Sequence, residues 1–186
     1  MNYKIIIGTL LSLSVLACSE LPKSMQATQT IGRFQVQNDV VTDTRSNLMW
    51  SRCLLGATWN GTSCEGKPSK YSWQQIHNLV KTLNYAGYSD WRVPSLEELK
   101  SLADSESSAP MIKIFYLDPT VFPMPNCQGT KSGLGLNNDG HVCWHWSSTT
   151  IEGSKHYVWI MYFGYGHGSA NYEADMFTLR LVRNNR

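Results

Sequence analysis

Two stretches in the C-terminal third of the chain alternate with period two. Tyr157, Trp159, Met161 and Phe163 interleave with Val158, Ile160 and Tyr162, and Phe177, Leu179 and Leu181 interleave with Thr178, Arg180 and Val182. Successive side chains of a strand point to opposite faces, so both stretches read as strands, the first apolar on both sides. A hairpin through Gly164 to Asp175 is expected to join them. Near the other end, Phe34 and Val36, then Val40 and Val41, flank a turn at Asn38-Asp39; Asp43 to Asn47 makes a second turn before the buried run Leu48-Met49-Trp50. The period changes between Ser72 and Asn84, where Trp73, Ile76, Val80 and Leu83 fall on one helical stripe, and Ser72 with Gln75 forms a capping box. A second helix starts at Ser95, with Glu98 as the box partner, Pro94 just outside, and Leu96, Leu99 and Leu102 buried. Tyr85 to Val93 turns between the helices through Gly87, and Ala109 to Gly140, rich in Pro, Gly and Asn, reads as irregular surface. The expected class is α+β, two helices packed on a mostly antiparallel twisted sheet with long irregular loops.

The first seventeen residues follow a different logic. Met1 to Ala17 carries one cation, Lys4, and then a mostly apolar stretch from Ile5 to Ala17, the layout of a signal peptide and too short to cross a bilayer comfortably. Val15-Leu16-Ala17-Cys18 resembles the bacterial lipobox, which makes Cys18 the expected lipidated first residue of the mature protein. In lipoproteins of that kind an Asp after the cysteine favours the inner membrane; Ser19 here points to the outer membrane. Residues 18–30, polar and small with Pro22, form a tether, and residues 31–186 form the folded domain.

Of 5 cysteines, setting Cys18 aside leaves Cys53, Cys64, Cys127 and Cys143, an even number in an exported chain. Two disulfides are expected. Cys53 with Cys64 and Cys127 with Cys143 is the favoured one of three pairings, because each pair brackets a turn-rich stretch, and no C-x-x-C spacing suggests zinc. At 186 residues, 42% hydrophobic and 16% charged, the chain has material for one packed domain. Its 16 Lys+Arg against 14 Asp+Glu are too balanced for a nucleic-acid binder. Losing Lys4 with the leader narrows the balance further and argues against a broadly basic surface.

No catalytic set emerges, and neither a cofactor nor a metal is expected. The five histidines, His77, His141, His145, His156 and His167, are scattered, and the His141/His145 spacing falls beside a strand rather than on a helix. Asn137 to Gly140 fails as a calcium loop, with Gly135 and Trp146 at the ligand positions that need oxygen. Glu97 and Glu98 read as helix charges, and Ser147 to Thr150 as hydrogen-bonding structure. The most suggestive run is Tyr162 to Tyr172, YFGYGHGSANY, in which aromatics set among glycines suit stacking on a ligand; Tyr165, His167 and Tyr172 are the candidates. Arg180 and Arg183, with Arg186, alternate with apolar residues, and are expected to line a solvated strand face or a small anion-reading stripe.

Four ordered motifs carry a family resemblance: VTDTRSNLMWSR (Val41 to Arg52), YSDWRVPSLEELKSL (Tyr88 to Leu102), WSSTT (Trp146 to Thr150) and LRLVR (Leu179 to Arg183). Together they resemble the Lcl C-terminal domain family. The resemblance implies a C-type-lectin-like fold, in which Asp90-Trp91-Arg92-Val93-Pro94 leads into a helix and WSSTT and the final strand build the sheet. It also implies an exported bacterial protein, with relatives associated with adhesion to sulfated glycosaminoglycans. The sequence departs from calcium-dependent lectins at Met124-Pro125-Asn126, which lacks the carboxylate, and from formylglycine-generating relatives because its cysteines read as structural. The leading expectation is a lipid-anchored, non-enzymatic envelope binding or adhesion module, with a glycan or an envelope protein as partner. The alternatives are an enzyme of the same fold acting on envelope material and a structural lipoprotein docking on another envelope protein.

Overall fold

The computed structural model describes residues 27–102, 117–124, 143–163 and 166–186. Among them, the N-terminal valines and aromatics form strands β1 (Gln29–Ile31), β2 (Phe34–Gln37), β3 (Val40–Asp43) and β4 (Leu48–Ser51), joined in antiparallel order. The turns fall at the expected places, Asn38 and Asn47 taking positive φ (50° and 53°), a conformation asparagine tolerates better than most residues. Strand β10 (Val182–Asn184) completes this five-stranded sheet beside β4. Its register lines Val36, Val41, Trp50 and Val182 in one buried row.

A second, three-stranded antiparallel sheet consists of β7 (Trp144–Thr150), β8 (Tyr157–Tyr162) and β9 (His167–Tyr172). It lies between two apolar clusters. Met161 and Phe163 on one face join Leu96, Leu99, Trp50 and Phe122, while Trp146, Val158 and Ile160 on the other join Ile76, Trp91, Phe177 and Leu179. The two-sided apolar pattern of β8 follows from this position. A small hairpin of β5 (Thr58–Trp59) and β6 (Cys64–Glu65) is tied by the Cys53–Cys64 disulfide. Cys143 is disulfide-bonded as well. Cys127, its expected partner, lies outside the described residues, as do Cys18 and the stretch expected to be a leader.

Helix α1 (Trp73–Val80) carries the expected capping box, Gln75 N–H to Ser72 Oγ and Ser72 N–H to the Gln75 side chain. It stops before Asn84 because Tyr85 and Tyr88 close a turn on each other, N–H to C=O at 3.0 Å both ways, with Ala86 and Gly87 at positive φ. Helix α2 (Leu96–Leu102) has its own box: Glu98 N–H donates to Ser95 Oγ and Ser95 N–H to the Glu98 carboxylate. Leu96, Leu99 and Leu102 are buried as expected. The molecule is therefore α+β, with antiparallel strand ladders and two helices among the described residues.

The expected C-terminal hairpin is not formed. Strand β8 pairs with β9, inside the stretch read as connecting loop, and Phe177 to Leu181 instead threads between the sheets. There Leu179 C=O accepts from Leu55 N–H, Leu181 C=O from Ser51 N–H, and Thr178 C=O from Trp146 N–H. The alternation misled because Thr178 and Arg180 are as buried as Leu179 and Leu181; the segment has no solvent side. Strand β9, HGSANY, pairs through its main chain without an apolar pattern to announce it.

Candidate functional site

Antiparallel pairing places Trp144, Tyr162 and His167 opposite one another on one face of the three-stranded sheet. Trp144 stacks on Tyr162 (centroids 4.3 Å apart, planes 26°), and His167 approaches both edge-on, at 5.9 and 5.6 Å. Along the same face of β9 come Ser169 and Asn171, two and four residues on. Opposite them the chain folds back after β9. Glu173 is fixed at both its N–H and C=O, to His156 C=O and Trp73 N–H, and Phe177 exchanges two backbone hydrogen bonds with Tyr71.

Between β9 and this return segment an open cleft of about 460 Å³ is lined by Trp144 and Phe177 at its floor and by Lys70, Asn171, Asp175 and Met176 around it. Such a volume is typical of a small-ligand site. An indole offers a flat apolar surface, the Asn171 amide both donates and accepts, the carboxylate accepts, and the ammonium donates. Met176 is among the few large apolar side chains substantially exposed (44%).

The sequence candidates separate in space. His167 stands exposed beside the Trp144 cleft. Tyr172, an odd number of residues away, points to the opposite face and meets Tyr157 (5.8 Å); His156 lies 5.8 Å from it and bonds Glu173 at 2.9 Å. Tyr165 lies outside the described residues. The solvated arginine face is corrected: Arg180 is wholly buried, its guanidinium donating to Ser51 C=O and Arg52 C=O at 2.7 Å and lying 4.9 Å from the Phe122 ring. Burial pulls its pKa down to about 9, with Tyr85 acting in the opposite sense. Arg183 is also buried, bonded to Asp90 (2.6 and 3.1 Å) and stacked on Tyr88 (4.0 Å). Neither guanidinium is placed to read a ligand.

The other polar candidates hold the fold. Ser147 Oγ donates to Trp159 C=O (2.6 Å), Thr149 Oγ1 accepts from Leu96 N–H (2.9 Å), and Ser148 N–H reaches Pro94 C=O (2.7 Å). Glu97 pairs with Lys100 at 2.7 Å and Glu98 with Arg92 at 2.6 Å. His145 is buried against Phe163 (4.8 Å), and His77 packs on Trp73 (4.1 Å), its pKa lowered by burial and by Lys81. No group of His, Cys, Asp or Glu among the described residues is arranged to hold a metal. Sequence reasoning missed Trp144, Lys70, Asp175 and Met176, and passed over Asn171 inside the run Tyr162 to Tyr172 that it had singled out. A further available signal was a methionine after a polar turn, directly before the buried run at Phe177.

The family model of the Lcl C-terminal domain matches residues 39–183, from the β2–β3 turn of the five-stranded sheet to its last strand. The chain belongs to the Lcl C-terminal domain family. In this Lcl C-terminal domain the matched segment contains every lining residue of the Trp144 cleft, whereas β1 and β2 precede it. All four motifs meet physically: Ser148 bonds Pro94, Arg92 bridges Val182 through paired main-chain bonds of 2.9 and 3.1 Å, and Ser51 N–H donates to Leu181 C=O at 3.0 Å. A comparison with curated proteins returns no match.

Proposed function

We propose that this Lcl C-terminal domain is a lipid-anchored binding module of the bacterial cell envelope, with a C-type-lectin-like fold and no catalytic role, that takes a glycan in the Trp144 cleft. The observation that carries the reading is the cleft itself, an aromatic floor ringed by an amide, a carboxylate and an ammonium. That composition suits a ligand with one apolar face and many hydroxyls. The fold assignment is supported by the two helices packed with antiparallel sheets and by the motif resemblance. The anchor and the outer-membrane address rest on Val15-Leu16-Ala17-Cys18 followed by Ser19. Attachment through several acyl chains leaves the tether to set the reach of the domain.

A screen of the full-length protein against glycans, sulfated polysaccharides and peptidoglycan fragments tests the reading. Binding that Asn171→Ala weakens at unchanged melting temperature supports it; a folded protein that binds none of them defeats it. A second reading, docking on another envelope protein, draws on the exposed pair Tyr157 (52%) and Tyr172 (43%) on the opposite sheet face. Crosslinking in cells with Tyr157→Ser and Tyr172→Ser separates the two.

A further inference from the structure

We propose that two copies of this chain pair antiparallel along β9, edge to edge about Ser169, and merge their three-stranded sheets into one of six strands. The two rims of the sheet differ. On the β7 rim the outward groups are occupied: Thr178 N–H donates to Trp144 C=O (3.2 Å), Trp146 N–H to Thr178 C=O (3.1 Å) and Ser148 N–H to Pro94 C=O (2.7 Å). On the β9 rim they are not. Glu173 N–H on His156 C=O (2.8 Å) continues the β8–β9 ladder, so His167, Ser169 and Asn171 turn their main-chain groups inward to β8, and Gly168, Ala170 and Tyr172 turn theirs outward. Tyr172 C=O is taken by Asp175 N–H (2.9 Å). The N–H and C=O of Gly168 and Ala170 have no partner among the described residues, and Ala170 is exposed.

The occupant that fits this rim is the same rim of a second copy. A two-fold axis through Ser169 sets Gly168 of one protomer against Ala170 of its partner, and the reverse, so that every free main-chain group of the two residues is used. An axis through Ala170 would call on Tyr172 C=O, which the Asp175 turn already holds. The side chains agree with the register. Ser169 meets the partner's Ser169 at the axis, hydroxyl to hydroxyl, and Asn171 meets the partner's His167, an amide that donates and accepts beside an imidazole that does the same. Strand edges are ordinarily guarded by Lys, Pro, a bulge or an inward charge. HGSANY has no Lys, Arg, Asp, Glu or Pro, and its register with β8 runs unbroken from Tyr157 opposite Tyr172 to Tyr162 opposite His167. No like charges therefore face each other across the axis. Gly168 rests on Leu96, whose methyl lies 3.0 Å from the place a Cβ would take, so α2 backs the strand along this stretch. The pairing also reaches the cleft, since the partner's His167 comes to stand beside Asn171 in its wall. An interface this short makes a weak, concentration-dependent dimer.

The test is disulfide trapping of the full-length protein in detergent at ~0.1 mM chain, in a glutathione redox buffer, read on a non-reducing gel. Opposed residues between hydrogen-bonded pairs stand ~4.5 Å apart at Cα, within disulfide reach, so Ser169→Cys is expected to trap most of the chain as a dimer. Asn171→Cys alone, off the axis, is expected to trap at least about tenfold less and to recover when mixed with His167→Cys. Lys81→Cys, exposed at the end of α1, reports chance collision. Ala170→Pro added to Ser169→Cys removes an outward N–H without touching the β8 ladder, and is expected to abolish trapping at an unchanged melting temperature. Should that double variant unfold, Ser169→Lys takes its place, setting two ammoniums on the axis; it is expected to sediment as a monomer where the unaltered chain sediments as a dimer. No dimer from Ser169→Cys, as much dimer from Asn171→Cys alone or from Lys81→Cys, trapping by a folded Ala170→Pro chain, or one sedimenting mass with and without Ser169→Lys each overturns the inference.

Discussion

Trp91 is 3% exposed, with Tyr85 and Tyr88 set edge-on to its ring at 5.6 and 6.3 Å and its indole N–H donating to Tyr85 C=O at 2.8 Å. Trp91→Ala removes a large volume that neighbours held by their own hydrogen bonds cannot refill. A loss of about 3 to 5 kcal/mol in unfolding free energy is expected from a urea titration. Seven residues on, Glu98 does two jobs with one carboxylate. Burial alone would push its pKa up, but hydrogen bonds from Arg92 and from the Ser95 backbone N–H outweigh it and hold the group below its usual 4.5. A carboxyl depressed on folding contributes stability above the unfolded value and forfeits it as pH falls through the folded one. The melting temperature is therefore expected to drop on acidification below about 4.5, and Glu98→Gln to flatten that part of the profile. A profile unchanged by the substitution would show that the Arg92 pair contributes nothing on acidification.

Among the elements, the β5–β6 hairpin has the smallest core, Cys53, Ala57 and Trp59 with Cys64 packed against them, and depends most on a covalent tie. Replacing Cys53 and Cys64 together by serine reopens an 11-residue separation and is expected to cost about 3 kcal/mol on the chain-entropy model, read in a denaturant titration. A second consequence is local. Arg52 lies 3.4 Å over the Trp59 ring, so tryptophan emission should shift when the hairpin loosens. How far each element was legible followed from how its core contact is made. Strand β2 and helix α2 bury one side against the cluster around Trp50 and Leu99, and that one-sidedness is written as period two or three to four, whereas β4, with Met49 and Trp50 in different clusters, reads as a buried run. The middle of strand β9 joins its sheet through backbone pairing, and its Gly, Ser and Asn carry no face to read. Phe177 to Leu181 alternates apolar with polar residues although every position is inside, because Thr178 Oγ1 finds Trp144 C=O and Arg180 finds Ser51 and Arg52. The cleft stayed hidden because its lining comes from three separate stretches, around Lys70, Trp144 and Asn171 to Phe177, that only the fold brings together.

For the whole molecule, placing the three-stranded sheet between two apolar clusters gives the domain two cores with one shared wall. The cleft and the exposed Tyr157–Tyr172 pair both depend on this wall, one on each face. If the Cys18 lipid sets where the domain works, Cys18→Ser is expected to move the protein from the membrane fraction to the soluble one without altering its melting curve. Persistence in the membrane fraction would mean that something other than the acyl chains holds it. The closing of the five-stranded sheet by β10 has a consequence for biosynthesis. Arg183 meets Met49 across 134 positions of chain, and Asn185 meets Asn47 across 138. Strands β1 to β4 leave the ribosome early with an unoccupied edge at β4, and nothing can fill it until residues 182–184 follow. Folding of such a distant pairing is slow. The first sheet is therefore still incomplete when most of the chain has been made, and a stop codon a few residues before Val182 would leave that edge open for good.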